Sequence, residues 1–177
     1  MQVLAYAIIV LVALQRLAEL PYAARNTAAL KRRGGIEVGR AHYPLLVLLH
    51  AAWLATIVLA LPQDAHVNWI ALSVFVVLQG FRVWIIASLG PYWTTRIITL
   101  PDAPLVRGGP YRYVRHPNYM LVAAEIAIFP LVFGEVTVAI VFSILNGIVL
   151  AWRIRQEDKA LAARRALPDM GIPAAKG

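Results

Sequence analysis

Residues 119–152 read YMLVAAEIAIFPLVFGEVTVAIVFSILNGIVLAW, an apolar run carrying only two acids. One unbroken helix would bury Glu135 without a partner, which is costly in a membrane. Pro130 and the Gly134-Glu135 pair break the run instead. The stretch therefore predicts two short spans, 119–133 and 135–152, joined as a tight helical hairpin. Three further apolar runs lie upstream, at about 3–20, 43–61 and 68–89. The reading is an all-α polytopic integral membrane protein of about five transmembrane helices. It forms one membrane domain over 1–177: three spans in 1–89, the hairpin region in 90–165, and an Ala/Gly/Pro-rich tail at 166–177 that is expected to be flexible. The first span lacks a basic leader and a clear cleavage site, so a retained span is expected rather than a signal peptide.

Composition agrees. Of the 177 residues 60% are hydrophobic and 15% charged, with a mean hydropathy of +0.68. A soluble domain would be roughly 45–50% apolar and about 25% charged. A disordered chain needs the opposite balance. With no cysteine, disulfides, thiolate nucleophiles and thiolate metal sites are excluded. No His/Asp/Glu cluster has convincing ligand spacing, so no metal is predicted. The net charge of +8 raises nucleic acid as a partner, but the basic residues are segregated. Fifteen of the 17 Lys and Arg fall in 21–42, 90–118 and the tail, while the alternate connections carry only acids. This asymmetry predicts a cytoplasmic C-terminus and an outside N-terminus, and no nucleic acid partner. The glycines and the proline of 32–44 make that basic segment a loop.

Six polar residues fall within the spans on the cytoplasmic side: Arg16, Glu19, Gln79, Arg82, Glu125 and Asn146. Two readings stand. They line a polar cavity open to the cytoplasm, or they pair structurally, Arg16 with Glu19, Arg82 with Glu125, and Asn146 across helices. His42 and Tyr43 read as an interfacial belt. His50, deeper in the second span, with Trp53 one turn beyond, is a candidate cavity lining.

The densest motif is 108–119, GGPYRYVRHPNY. Gly108, Gly109 and Pro110 prescribe a turn and a close backbone approach. Pro117 suits the first turn of the next helix, with His116 at its cap. The free N–H groups of that helix start, with Arg112 and Arg115, suit an anion. Tyr111, Tyr113 and Tyr119 offer faces to an aromatic ring or a cation. The alternative is an interfacial anchor. A second stretch, RIRQEDKAL at 153–161, places Arg153 and Glu157 on one helix face, with Asn146 two turns earlier.

Together the two stretches resemble the isoprenylcysteine carboxyl methyltransferase family, in its small prokaryotic branch. The family pattern is G-P-Y-x-x-x-R-H-P-x-Y, two short spans, then R-x-x-x-E-E. Here it reads Gly109-Pro110-Tyr111, Arg115-His116-Pro117, Tyr119, then Arg153, Glu157 and Asp158, with Asp where a second Glu is usual. The resemblance covers about 90–165. It implies a membrane O-methyltransferase that binds S-adenosylmethionine on the cytoplasmic side and takes a lipophilic or prenylated acceptor. Tyr113, Val114, Arg115, His116, Tyr119 and Glu157 would hold the cofactor, and Arg153 would bridge cofactor and substrate. The loop Arg33-x-Gly35-x-Glu37-x-Gly39-x-x-His42-Tyr43 resembles a bacterial subgroup acting on long-chain alkylpyrones and phenolic lipids. That implies the bacterial inner membrane.

Methyl transfer from a sulfonium is an in-line displacement. A carboxylate acceptor is already ionised, whereas a phenol near pKa 10 needs a base. Glu125 and His50 are the candidate bases. Arg153, with Arg82, would orient the oxygen, and Arg82, Asn146 and Trp53 would contact the substrate, its alkyl chain lying between helices in membrane lipid. Two rivals are an NADPH-dependent sterol-type reductase, similar near Arg115-His116-Pro117-Asn118-Tyr119, and a non-catalytic membrane scaffold. The sequence does not fix the oligomeric state.

Overall fold

The structure, a computed structural model, describes residues 2–101, 103 and 105–165, and of 42 and 163–165 the backbone alone. The expected flexible tail lies outside the described residues. The chain runs α1 (Gln2–Arg32), β1 (Ile36–Val38), α2 (His42–Ala60), α3 (Trp69–Leu89), β2 (Ile97–Thr99), α4 (Pro117–Leu131) and α5 (Val136–Arg165), with single 3₁₀ turns at Gly90–Tyr92 and Gly109–Arg112. All of α1, α2, α3 and α5 contain stretches long and apolar enough to cross a membrane. The fifth helix, α4, is apolar but has only 15 residues. At 1.5 Å per residue that is shorter than a bilayer core of about 30 Å. It packs against α5 as the hairpin expected from the sequence. Gly134, at φ +78°, takes the left-handed turn that a side chain would resist.

The hairpin turn is tied to the rest of the bundle. Asn68 caps α3, its Oδ1 accepting from the N–H groups of Ile70 and Ala71 at 3.1 Å each. Its own N–H donates to Val132 O at 2.8 Å. The core between the helices centres on Phe129, which is fully buried. Its ring lies 4.6 Å from Phe75, 5.6 Å from Trp53 and 5.4 Å from Phe133, centroid to centroid. The outer faces carry exposed Val3, Leu11, Leu59, Ile70 and Ile148. That inversion, apolar outside, is what a lipid solvent requires.

Two features depart from expectation. Helix α1 does not stop near residue 20 but continues through Pro21 to Arg32. Proline removes one backbone donor, and the alanine-rich stretch YAARNTAALKR restores helix propensity beyond it. The expected loop thus shrinks to residues 33–41. Part of it forms β1, which pairs antiparallel with β2 in the register Ile36–Thr99, Glu37–Ile98, Val38–Ile97. Helix α5 likewise runs past 152 to Arg165, so Arg153 and Glu157 stand on the same rigid rod as the membrane span.

Candidate active site

The ribbon, the end of α1, the start of α4 and the emergent part of α5 converge at one end of the bundle. They enclose a cavity of about 480 Å³. Small-molecule sites run from about 300 to 1,000 Å³. Its wall includes Arg115, His116 and Tyr119 from the α4 entry, and Arg153 and Glu157 from α5.

Arg153 is buried, 6% exposed. Its Nε donates to the Tyr119 hydroxyl at 2.9 Å, and a terminal nitrogen donates to Thr95 O at 2.8 Å. The Tyr119 hydroxyl in turn donates to Glu157 Oε2. A tyrosine from α4 thus joins an arginine and a carboxylate that lie one turn apart on α5. His116 stacks on the Tyr119 ring, 5.4 Å between centroids at 17°. Its Nε2 lies 3.1 Å from Asp158 Oδ1. The position where the family usually has a second Glu therefore engages a protein side chain here. Tyr111 also lines the cavity, and burial together with the nearby Glu157 charge pushes its phenol up, so it stays protonated as a donor.

The opposite wall was not anticipated. Arg96, immediately before β2, lines the cavity and stacks 4.1 Å over the Tyr43 ring centroid. It pairs with Glu37 of β1, which Lys31 also holds and Arg40 approaches at 3.5 Å. Burial pushes the Glu37 carboxyl up, but hydrogen bonds from Lys31 and Arg96 outweigh it and hold it below the usual carboxylate range. Glu37 belongs to the loop pattern quoted above. Arg96 stands in no motif and becomes visible only when β1 and β2 pair. In the 108–119 turn, Gly109 has φ +58°, and a Cβ there would overlap Ser88 Oγ. That is the close backbone approach its sequence implies.

The other sequence candidates lie elsewhere. Glu125, expected as a base, is 3% exposed and off the cavity wall. Its oxygens are taken by Arg82, by Arg16 at 2.9 Å and by Gln79 at 2.9 Å. Arg82, expected at the substrate, reaches Glu19 at 2.9 Å as well. The structural pairing reading describes these groups, and it is wider than the two pairs proposed from sequence. His50, the other expected base, is also off the cavity wall, and its Nδ1 donates to Leu46 O at 2.8 Å. It lies within electrostatic reach of Arg16, Arg82 and Glu125. Trp53 packs in the core on Phe129, its indole N–H without a hydrogen-bond partner among the described residues. Asn146 is 1% exposed and its amide has no partner among them either. Tyr113 is 74% exposed and, like Val114, does not line the cavity. The 3₁₀ turn before it points Tyr111 inward and leaves Tyr113 outside.

The donor set suits a cofactor bearing a carboxylate, an adenosyl group and a cationic centre. Glu157 would accept from ribose hydroxyls or an amine. Arg115 and the α4 start suit a carboxylate, and the Tyr119 and His116 rings an adenine or a sulfonium.

A helical membrane bundle with a polar cavity at its basic end is thus the class that fold and site define. Residues 69–163 match the isoprenylcysteine carboxyl methyltransferase (ICMT) family, and the chain belongs to it. It is an integral membrane protein of a methyltransferase family. Protein YpbQ of Bacillus subtilis (strain 168), described as uncharacterized, is 36% identical over 158 residues, spanning 87% of this chain and 94% of that protein. An uncharacterized protein of Haemophilus influenzae (strain ATCC 51907 / DSM 11121 / KW20 / Rd) is 30% identical over 152 residues, 83% of this chain and 88% of its own. No solved structure matches the chain.

Proposed function

We propose that the protein is an S-adenosylmethionine-dependent O-methyltransferase acting on a lipophilic acceptor, either an isoprenylcysteine-type carboxylate or a long-chain polyketide such as an alkylpyrone or phenolic lipid. The observation that carries this reading is the convergence of two separated motifs, His116 and Tyr119 with Arg153 and Glu157, on one cavity. The cofactor, when bound, supplies an electrophilic methyl group on sulfur. Glu157, Tyr119, His116 and the Arg115 side of the α4 start would hold it. Arg153, already fixed by Tyr119 and Thr95 O, would orient the acceptor oxygen. The acceptor would enter sideways from lipid, with its chain between helices. The basic segments meet at the cavity end, which supports a cytoplasmic cavity and C-terminus, an outside N-terminus, and the inner membrane of a bacterium.

The test is isothermal titration of S-adenosylmethionine and, separately, NADPH into the detergent-solubilised protein. Binding of the sulfonium cofactor is expected, weakened about tenfold or more by Glu157→Ala and by His116→Ala, with helicity retained. Unchanged affinity in both variants overturns the assignment. Binding of NADPH alone points to the reductase, and binding of neither to a scaffold.

A further inference from the structure

We propose that His116 is a general base for a hydroxyl acceptor and that Asp158 is the residue that positions it. This rests on the methyltransferase reading and adds a step to it. The bases expected from sequence do not stand at the cavity: Glu125 is held by Arg16, Gln79 and Arg82, and His50 is turned to its own helix backbone. His116 does stand there. Its Nε2 faces Asp158 Oδ1 at 3.1 Å, and an ionised carboxylate only accepts. The proton of the neutral ring therefore sits on Nε2, and Nδ1 keeps its lone pair. One face of the ring is covered by Tyr119, which restrains its rotation. An imidazole held in one tautomer by a buried or half-buried carboxylate is the base-and-orienter arrangement that activates hydroxyls in hydrolases.

The step balances. The acceptor O–H proton passes to His116 Nδ1, and the acceptor oxygen forms a bond to the methyl carbon. The carbon–sulfur bond of the sulfonium breaks, its electron pair staying on sulfur as a neutral thioether. The imidazolium so formed faces Asp158 and later returns the proton to water.

Two measurements test the proposal. The first is the His116 tautomer, read by ¹⁵N imidazole correlation spectra of histidine-labelled protein in micelles and assigned by its loss in His116→Gln. The Nε2–H form is expected in the native chain and a mixture in Asp158→Asn. An Nδ1–H form in the native chain overturns the proposal. The second compares native and Asp158→Asn rates, at saturating S-adenosylmethionine, across alkylphenols of graded acidity and one long-chain carboxylate. The variant should lose about 10²-fold on the least acidic phenol, progressively less on more acidic ones, and under about threefold on the carboxylate. An equal loss on every acceptor, or no loss on the phenols, overturns it. Methylation of the carboxylate alone by the native protein overturns this step but leaves the methyltransferase reading standing. Absence of sulfonium cofactor binding removes both.

Discussion

Arg82 and Glu125 meet twice across α3 and α4, Nε to Oε1 at 3.0 Å and a terminal nitrogen to Oε2, with both side chains nearly inaccessible. Arg16 and Gln79 complete the shell around the carboxylate, and Glu19 pairs with both guanidinium groups, Arg82 at 2.9 Å and Arg16 at 3.4 Å. Two arginines and two glutamates are thereby neutralised where three helices cross.

Removing one member of such a group leaves an uncompensated buried charge, which costs about 3–5 kcal/mol. Glu125→Ala should lower stability by that order, read from thermal or denaturant unfolding in detergent. Cofactor affinity of the remaining folded fraction should stay within about twofold, because none of these groups lines the cavity. A large catalytic defect in a fully stable Glu125→Gln protein would return the residue to a role in proton transfer.

Glu37 gives a pH dependence of definite sign. Its folded carboxyl is held below the ordinary value, near 4.3 for a free glutamate, by Lys31 and Arg96 against the opposing effect of burial. Such a group contributes stability above the unfolded value and loses it as pH falls through the lower folded one. The native protein should therefore melt above Glu37→Gln at pH 6 to 7. The gap should narrow as pH falls below about 4, since the variant has no carboxylate to protonate. A gap that is constant down to pH 3 contradicts the assignment.

The membrane hairpin was legible because Pro130 and Gly134-Glu135 interrupt an otherwise apolar run, and the cavity motif because Gly, Pro, His and Tyr concentrate in twelve residues. The ribbon was not. Its strands have three residues each, too few for alternation to show, and they pair across a separation that includes two membrane helices. Arg96 was therefore invisible as a wall of the site. The first span was expected to end near residue 20, yet Tyr22 stacking on Trp93 and Asn26 bonding Gly90 O and Trp93 O anchor the helical turns beyond Pro21. Among the polar residues in the spans, their presence was plain but their partners were not, since pairing depends on which helix faces which. Trp53 illustrates the same limit: its spacing from His50 suggested a shared cavity, and its side chain points into the aromatic core instead.

Arg153 tests the importance of planar geometry. Its guanidinium serves Tyr119 and Thr95 O at once, from different nitrogens. A lysine offers a point charge and cannot reproduce the fork. Arg153→Lys should lose about 10- to 100-fold in kcat/KM, close to the effect of Arg153→Ala, with charge preserved. Recovery of near-native activity by lysine would show that charge alone suffices.

Adjacent glycines at 108 and 109 should respond differently to one methyl group. Gly108 has an ordinary φ of −86° and open space where a Cβ would go. Gly108→Ala should change stability by no more than about 0.5 kcal/mol. Gly109 has φ +58°, and its Cβ would overlap Ser88 Oγ and lie 2.9 Å from Ser88 Cβ and 3.3 Å from Trp84 Nε1. The left-handed backbone alone costs a side chain about 1–2 kcal/mol, and the overlap adds to it. Gly109→Ala should therefore destabilise by about 2 kcal/mol or more and weaken cofactor binding, because Tyr111 and His116 follow directly from this turn. Adding Ser88→Gly should recover the part due to overlap and leave the part due to φ. Full recovery in the double variant would place the whole constraint in the contact with α3, and none in the backbone.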